Sequence, residues 1–257
     1  MADNPSKAPT VLITGAGQRI GRALAIDFAS HGWQVAINYA TSKKAAETLA
    51  AEIQTDGGRA VAIKADLANL DELKALIPAC QAQLATPQCL INNASIFEHD
   101  DIASLDEESW EQHLSVNLRA PVFLAQAFAA ALPSGTKGNI INIVDQRVWR
   151  LTPRFFSYTI GKSGLWTATQ TLALALAPDI RVNAIGPGPT LPSSRQTEAS
   201  FERQQRATPL GHGPQLEEIC RAARFILDAP SMTGQMIALD GGQHLAWETP
   251  DILAGEE

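Results

Sequence analysis

Residues 11–30 read VLITGAGQRIGRALAIDFAS, and this stretch decides the fold. A β-branched apolar run, VLIT, ends in the glycine-rich turn TGAGQRIG at 14–21, which passes directly into the helical run RALAIDFAS. Gly15, Gly17 and Gly21 let the backbone turn sharply, approach a pyrophosphate closely and aim helix amides at it. The glycine spacing alone also fits an ordinary strand-to-helix turn; its place at the first strand–helix junction favours a dinucleotide loop. Arg19 stands where a simple glycine-rich loop has a small residue. A cation there can reach cofactor phosphates or an electron-rich substrate, or it is a solvated arginine at a helix start.

Working outward, the same rhythm repeats. Short β-branched runs follow at 35–39, 60–65, 89–92, 139–144, 180–185 and 236–240. Helical stretches are expected near 20–30, 42–55, 69–85, 107–131, 157–176 and 215–228. Several strands are nearly continuous in apolar residues, as strands buried on both faces must be, so the fold class is a single-domain, Rossmann-type α/β fold. Its core is a doubly wound parallel sheet of seven strands with helices on both faces. No linker divides 1–257. Segments 1–9 and 249–257 are expected to be flexible ends. The Pro- and Gly-rich stretch 190–214 breaks the rhythm and reads as a substrate loop or lid with a polar, helical centre.

Composition narrows the function classes. Hydrophobic residues make up 45% and charged residues 18%, which excludes a disordered or fibrous chain. With 20 Lys+Arg against 27 Asp+Glu, the net charge of −7 argues against nucleic acid or an anionic membrane as partner. The N-terminal residues lack the apolar core of a signal peptide, and no apolar run of membrane-span length is evident. Cys80, Cys89 and Cys220 have neither disulfide nor metal-ligand spacing, so reduced core thiols, no metal and a cytoplasmic location are expected.

The end of the second strand decides the cofactor. VAINYATSKK at 35–44 contains no Asp or Glu to bind ribose hydroxyls, which favours NADP(H) over NAD. Ser42 is placed to bond a 2′-phosphate, helped by Thr41, Lys43 and the helix N-terminus; an N-cap role for Ser42 is compatible with this. Asp66, after the third strand, can accept from an adenine amino group, although a lone acid there more often caps a helix. At 158–162, YTIGK puts Tyr158 and Lys162 four residues apart on one helical face. A nearby ammonium favours an ionised phenol, so Lys162 is expected to bring Tyr158 toward use as a general acid.

Several ordered motifs carry a resemblance to the short-chain dehydrogenase/reductase family from about Val11 to Trp247. They are the glycine loop, NNAS at 92–95, Asn117 in SVNLRAP, YTIGK, GPGPT at 186–190 and LDGG at 239–242. The resemblance implies that Asn117 holds a water linked to Lys162 and that Pro187, Gly188 and Thr190 cradle the nicotinamide. It extends the cofactor set to Gln18, Ile20, Tyr39, Leu67, Asn93 and Ala94, and includes Tyr158 and Lys162. It also implies a homotetramer joined through the two apolar helices at 107–131 and 157–176.

Asp145 departs from the family pattern. The family usually has a serine 13 residues before the tyrosine, donating to a substrate carbonyl; here NIVDQRV puts a carboxylate there. An ionised carboxylate accepts but does not donate, which suits a substrate rich in N–H and disfavours simple ketones. Asp145, Tyr158, Lys162 and Arg19, with Ser95 and Phe97 after NNA, are similar to the pteridine reductase branch. In that branch the aromatic stacks the pterin on the nicotinamide, which implies substrate contacts from Arg19, Ser95, Phe97, Asp145 and Tyr158. Phe97 alone reads equally well as a loop aromatic closing the core. The expected activity is NADPH-dependent reduction of a pterin-like C=N bond. The alternatives are a 3-oxoacyl-thioester reductase, disfavoured by Asp145, and a non-catalytic NADPH sensor, which has no need of Asn117, Tyr158 and Lys162 together.

Overall fold

The computed structural model describes residues 8–193 and 195–247. The expected ends therefore fall mostly outside the described residues. Seven parallel strands form one sheet in the order β3-β2-β1-β4-β5-β6-β7. These are β1 (Thr10–Ile13), β2 (Gln34–Tyr39), β3 (Arg59–Lys64), β4 (Cys89–Asn92), β5 (Gly138–Ile143), β6 (Ile180–Pro187) and β7 (Met236–Leu239). All seven strand predictions hold, because a strand covered on both faces needs apolar side chains at consecutive positions. Along β1, Val11 and Ile13 enter one core cluster with Leu24, Phe28 and Ile226, while Leu12 enters the other with Leu73, Leu76 and Phe128.

The flanking helices are α1 (Arg19–Ser30), α2 (Lys43–Thr55), α3 (Leu70–Gln83), α4 (Glu107–Leu114), α5 (Ala120–Ala131), α6 (Phe156–Leu176), α7 (Glu198–Arg206) and α8 (Leu216–Asp228). The expected single helix at 107–131 is interrupted by a π turn at Ser115–Arg119, where the Ala120 N–H reaches back to Ser115 O. That continuous Glu107–Ala131 stretch is long and apolar enough to cross a membrane by length and composition. The expectation of no apolar run of membrane-span length is corrected by this stretch, in which Asn117 and Arg119 interrupt the apolar residues. Leu124, Ala125 and Phe128 pack it onto the sheet.

The sheet order reverses direction between β1 and β4, and ligands of open α/β sheets bind at the carboxyl ends of strands beside such a switch. The backbone is tightly packed there. Gly15 has φ +60°, and a Cβ on Gly21 would lie 2.7 Å from Gly15 O. Only glycine lets α1 start this close to β1.

Candidate active site

Asn93 and Ala94 brace the glycine turn from β4. The Asn93 side chain donates to Thr14 O at 2.9 Å and Gly15 O at 3.1 Å, and the backbone N–H groups of Asn93 and Ala94 both donate to Thr14 Oγ1 at 3.0 Å. Asn38, buried mid-strand, accepts from the Gly15 N–H at 3.3 Å and donates to Ala65 O at 3.0 Å. Thr14 and Asn38 are thus supporting residues that the sequence reading missed. A buried amide inside an apolar strand was the available signal.

A cavity of about 560 Å³ opens between α1 and α2, lined by Gly17, Gln18, Arg22, Thr41, Ser42, Lys43 and Lys44, among others. Ser42 occupies the N-cap position of α2, yet its hydroxyl makes no capping bond and stays available to a ligand. Arg22, ion-paired with Glu52 at 2.5 Å, and Lys44 add cationic charge that the sequence reading did not assign. Arg19 lies elsewhere. Its backbone has φ +54°, and its guanidinium donates to Pro192 O at 2.7 Å and Leu191 O at 3.1 Å, so it ties the glycine loop to the base of the lid.

The remaining cofactor candidates divide. Gly188 follows β6 with its N–H on Leu239 O at 2.8 Å, and Thr190 donates to Gly188 O at 3.1 Å, so Pro187, Gly188 and Thr190 form one turn at the sheet's carboxyl end. Tyr39 and Leu67 are buried in the core clusters, and Ile20 packs against one of them. Tyr39 and Leu67 keep little exposed side-chain surface, whereas Ile20 is half-buried. Asp66 is exposed and accepts from the Ala68 N–H at 2.9 Å; the cap of α3 is Asn69, which corrects the helix-cap alternative.

Tyr158 lies in the first turn of α6. That helix starts unusually: Phe155, at its N-cap, has φ +56° and offers no side-chain cap. Asp100 compensates from a distant loop. Its buried carboxylate accepts from the Ser157 N–H at 3.2 Å, and its carbonyl accepts from the Phe155 N–H at 2.7 Å. Tyr158, 6% exposed, donates its hydroxyl to Asp145 Oδ2 at 2.9 Å. Burial and the Asp145 carboxylate push the phenol well above its ordinary pKa, and the Arg147 guanidinium opposes them. Lys162, 2% exposed, donates to Ile143 O at 2.7 Å, and burial pulls its ammonium down to about 8. The expectation that Lys162 lowers the Tyr158 pKa is therefore corrected: burial and then Asp145 dominate, and the opposing cation is Arg147.

Asn117 sits in the π turn. Its Oδ1 accepts from the Ile96 N–H at 2.9 Å and from Ser95 Oγ at 3.2 Å, while its Nδ2 donates to Ile96 O at 2.9 Å. These bonds commit the Asn117 side chain to positioning the 95–97 loop, and Ser95 is tied to it. Phe97 packs edge-on to Tyr158, with centroids 4.7 Å apart, and stacks on Phe155 at 4.3 Å with an 8° interplanar angle. From the lid, Arg195 pairs with Glu98 and donates to Phe97 O. Asp100, Arg147, Phe155 and Arg195 escaped the sequence reading because their partners lie far along the chain.

Residues 9–203 match the sequence pattern of the family described as short chain dehydrogenase. The chain belongs to that family. Among curated short-chain dehydrogenase relatives, a 3-oxoacyl-[acyl-carrier-protein] reductase from Synechocystis is 32% identical over 91% of this chain and 96% of its own. The Staphylococcus aureus FabG enzyme of the same description is 31% identical over 92% and 98%. Among solved structures, FolM alternative dihydrofolate reductase 1 from Brucella suis, in complex with NADP, superposes with a TM-score of 0.93 at 49% identity. That superposition covers 96% of this chain and 99% of the FolM chain. A blue fluorescent protein from a metagenomic library, in complex with NADPH, superposes with a TM-score of 0.85 at 29% identity, over 93% and 99%.

Proposed function

We propose that this short-chain dehydrogenase is an NADPH-dependent reductase of a dihydropterin or a related heterocycle with a C=N bond. The observation that carries the reading is the 2.9 Å hydrogen bond from Tyr158 to Asp145. A carboxylate at this position accepts hydrogen bonds, so the site favours a substrate that brings N–H groups. The 49% identity to the FolM dihydrofolate reductase supports the same direction. The 3-oxoacyl reductases are similar at 31–32% identity, and they support the second reading, reduction of a thioester ketone.

The cavity between α1 and α2 fits a 2′-phosphorylated cofactor. Ser42 has an uncommitted hydroxyl, Lys43 and Lys44 stand beside it, and no carboxylate ends β2. NADPH, when bound, supplies a hydride to the carbon of the C=N bond. Tyr158 gives its phenolic proton to the adjacent nitrogen, converting C=N to CH–NH. The raised pKa keeps that proton on the phenol near neutrality, and substrate N–H groups on Asp145 weaken the carboxylate's hold on it. Phe97 supplies an aromatic wall beside the phenol. NADPH oxidation assayed over dihydrobiopterin, dihydromonapterin, dihydrofolate, quinones and acetoacetyl thioesters tests this reading, which requires a dihydropterin or dihydrofolate to be the best substrate.

We also propose a homotetramer. Leu114, Leu118, Val122 and Phe123 line a mostly apolar cavity of about 420 Å³ on the outer face of the α4–α5 region, and Leu174 on α6 is 83% exposed. Apolar surface at these positions is what a paired copy of the same helices would cover.

A further inference from the structure

Arg147 is a cation in the site without a task in the chemistry above. It lies two residues after Asp145 on the short 3-10 turn Gln146–Val148, and its backbone N–H donates to Asp145 Oδ1 at 2.9 Å. Its guanidinium carbon is 5.1 Å from the Phe97 centroid, 4.8 Å from Phe155 and 5.9 Å from Tyr158. Since the two phenylalanine rings stack 4.3 Å apart, these near-equal distances place the guanidinium on the flank of the stack and on neither outer face.

Its side chain is partly buried, and the guanidinium has no hydrogen-bond acceptor among the described residues, Nη1 included. The aromatic rings offer no lone pair for the guanidinium's N–H groups. Buried polar atoms in folded proteins are almost always paired, so an unmet donor beside a candidate catalytic tyrosine points to an acceptor that the ligand brings. The neighbouring cations are already committed: Arg195 to Glu98 and Phe97 O, and Lys162 to Ile143 O.

Asp145 and Arg147 therefore form a complementary pair on one short turn, an acceptor and a donor beside the same aromatic wall. Both Asp145 oxygens retain lone pairs beyond the bonds to Tyr158 and the Arg147 N–H. An edge with N–H next to C=O, as in a cyclic amide, satisfies both groups. A simple ketone gives Asp145 nothing to accept, and a ring with amino in place of oxygen turns the neighbouring ring nitrogen from donor to acceptor, so that donor and acceptor trade places against Asp145 and Arg147.

We propose that Arg147 is a specificity-determining residue whose guanidinium donates to a ring carbonyl oxygen of the substrate, so that Asp145 and Arg147 together select flat heterocycles presenting a cyclic-amide edge. The proposal rests on the dihydropterin reading and deepens it by naming the edge that is recognised.

The test uses the full-length protein at saturating NADPH, with 7,8-dihydrobiopterin as substrate and the corresponding 2,4-diamino compound, which lacks the ring oxygen, as competitive inhibitor. The unmodified protein should bind the oxo compound at least about tenfold more tightly than the diamino compound, and equal binding would overturn the proposal without any variant. Arg147→Met keeps length and apolar contact but removes the donors. It should raise the dihydrobiopterin KM by at least about tenfold, change kcat much less, leave the NADPH KM within about twofold and erase the oxo preference. An unchanged KM and preference in Arg147→Met would sink the Arg147 assignment and leave the dihydropterin reading standing. Absence of turnover of any dihydropterin by the unmodified protein would instead overturn that reading, and the assignment with it.

Discussion

Tyr158 donates its phenolic hydrogen to Asp145 Oδ2 across 2.9 Å, joining residues 13 positions apart at the end of β5 and the start of α6. The bond holds the proposed proton donor against a carboxylate. It ties the identity of the substrate to the protonation of the phenol, since whatever N–H group approaches Asp145 also competes for the oxygen that retains the proton.

Tyr158→Phe keeps the ring packed against Phe97 and removes the proton. Turnover should fall by about 10² to 10⁴, the range for loss of one general acid, with NADPH affinity little changed by fluorescence titration. Turnover within a few-fold of the unmodified protein would mean that the proton comes from another group.

NADPH should bind more tightly than NADH by at least about tenfold, or roughly 1.4 kcal/mol. Ser42→Ala and Lys43→Ala should narrow that gap, because both residues line the cavity between α1 and α2. Arg19→Ala should leave the gap intact and act on the lid, since its guanidinium reaches Leu191 and Pro192. Equal KM values for the two cofactors would contradict the assignment.

Lys162 is buried, and its ammonium is pulled down from 10.5 to about 8. Its folded pKa lies below its unfolded one, so the burial penalty is fully present below about pH 8 and fades as pH rises toward 10.5. Lys162→Met should therefore be more stable than the unmodified protein at pH 7, by on the order of 1–3 kcal/mol, while losing activity. Denaturant melts across pH 7 to 10 should show the advantage shrinking; a constant or growing difference would refute the account of Lys162.

Light scattering at micromolar concentration should give a tetramer, and Phe123→Glu, which places a charge beside the apolar cavity of α5, should weaken it. A monomeric unmodified protein would contradict the proposed assembly.

The seven strands were legible because residues such as Val11, Leu12 and Ile13 are apolar in succession, which only a doubly covered strand requires. Tyr158 and Lys162 were legible because four residues make one helical turn. The π turn around Asn117 was not, since it inserts a residue into a helix without a sequence marker. Nor were Asp100 as the cap of α6, 57 residues away from Ser157, and the Phe97–Phe155 stack flanked by Arg147. These depend on tertiary approach, and no local pattern encodes them. Arg19 shows the opposite limit: its position in the loop was plain, yet the direction of its side chain is set by the lid carbonyls.

On the proposed function, the carboxylate at position 145 makes this protein a reductase of N–H-bearing heterocycles. The most direct measurement is the ratio of kcat/KM for dihydrobiopterin to that for acetoacetyl thioester, in the unmodified protein and in Asp145→Ser. The account predicts a ratio well above one that falls by at least about tenfold in Asp145→Ser, as the serine hydroxyl donates to a carbonyl and the acceptor for N–H is lost. A ratio below one in the unmodified protein, or a ratio unmoved by the substitution, would contradict it.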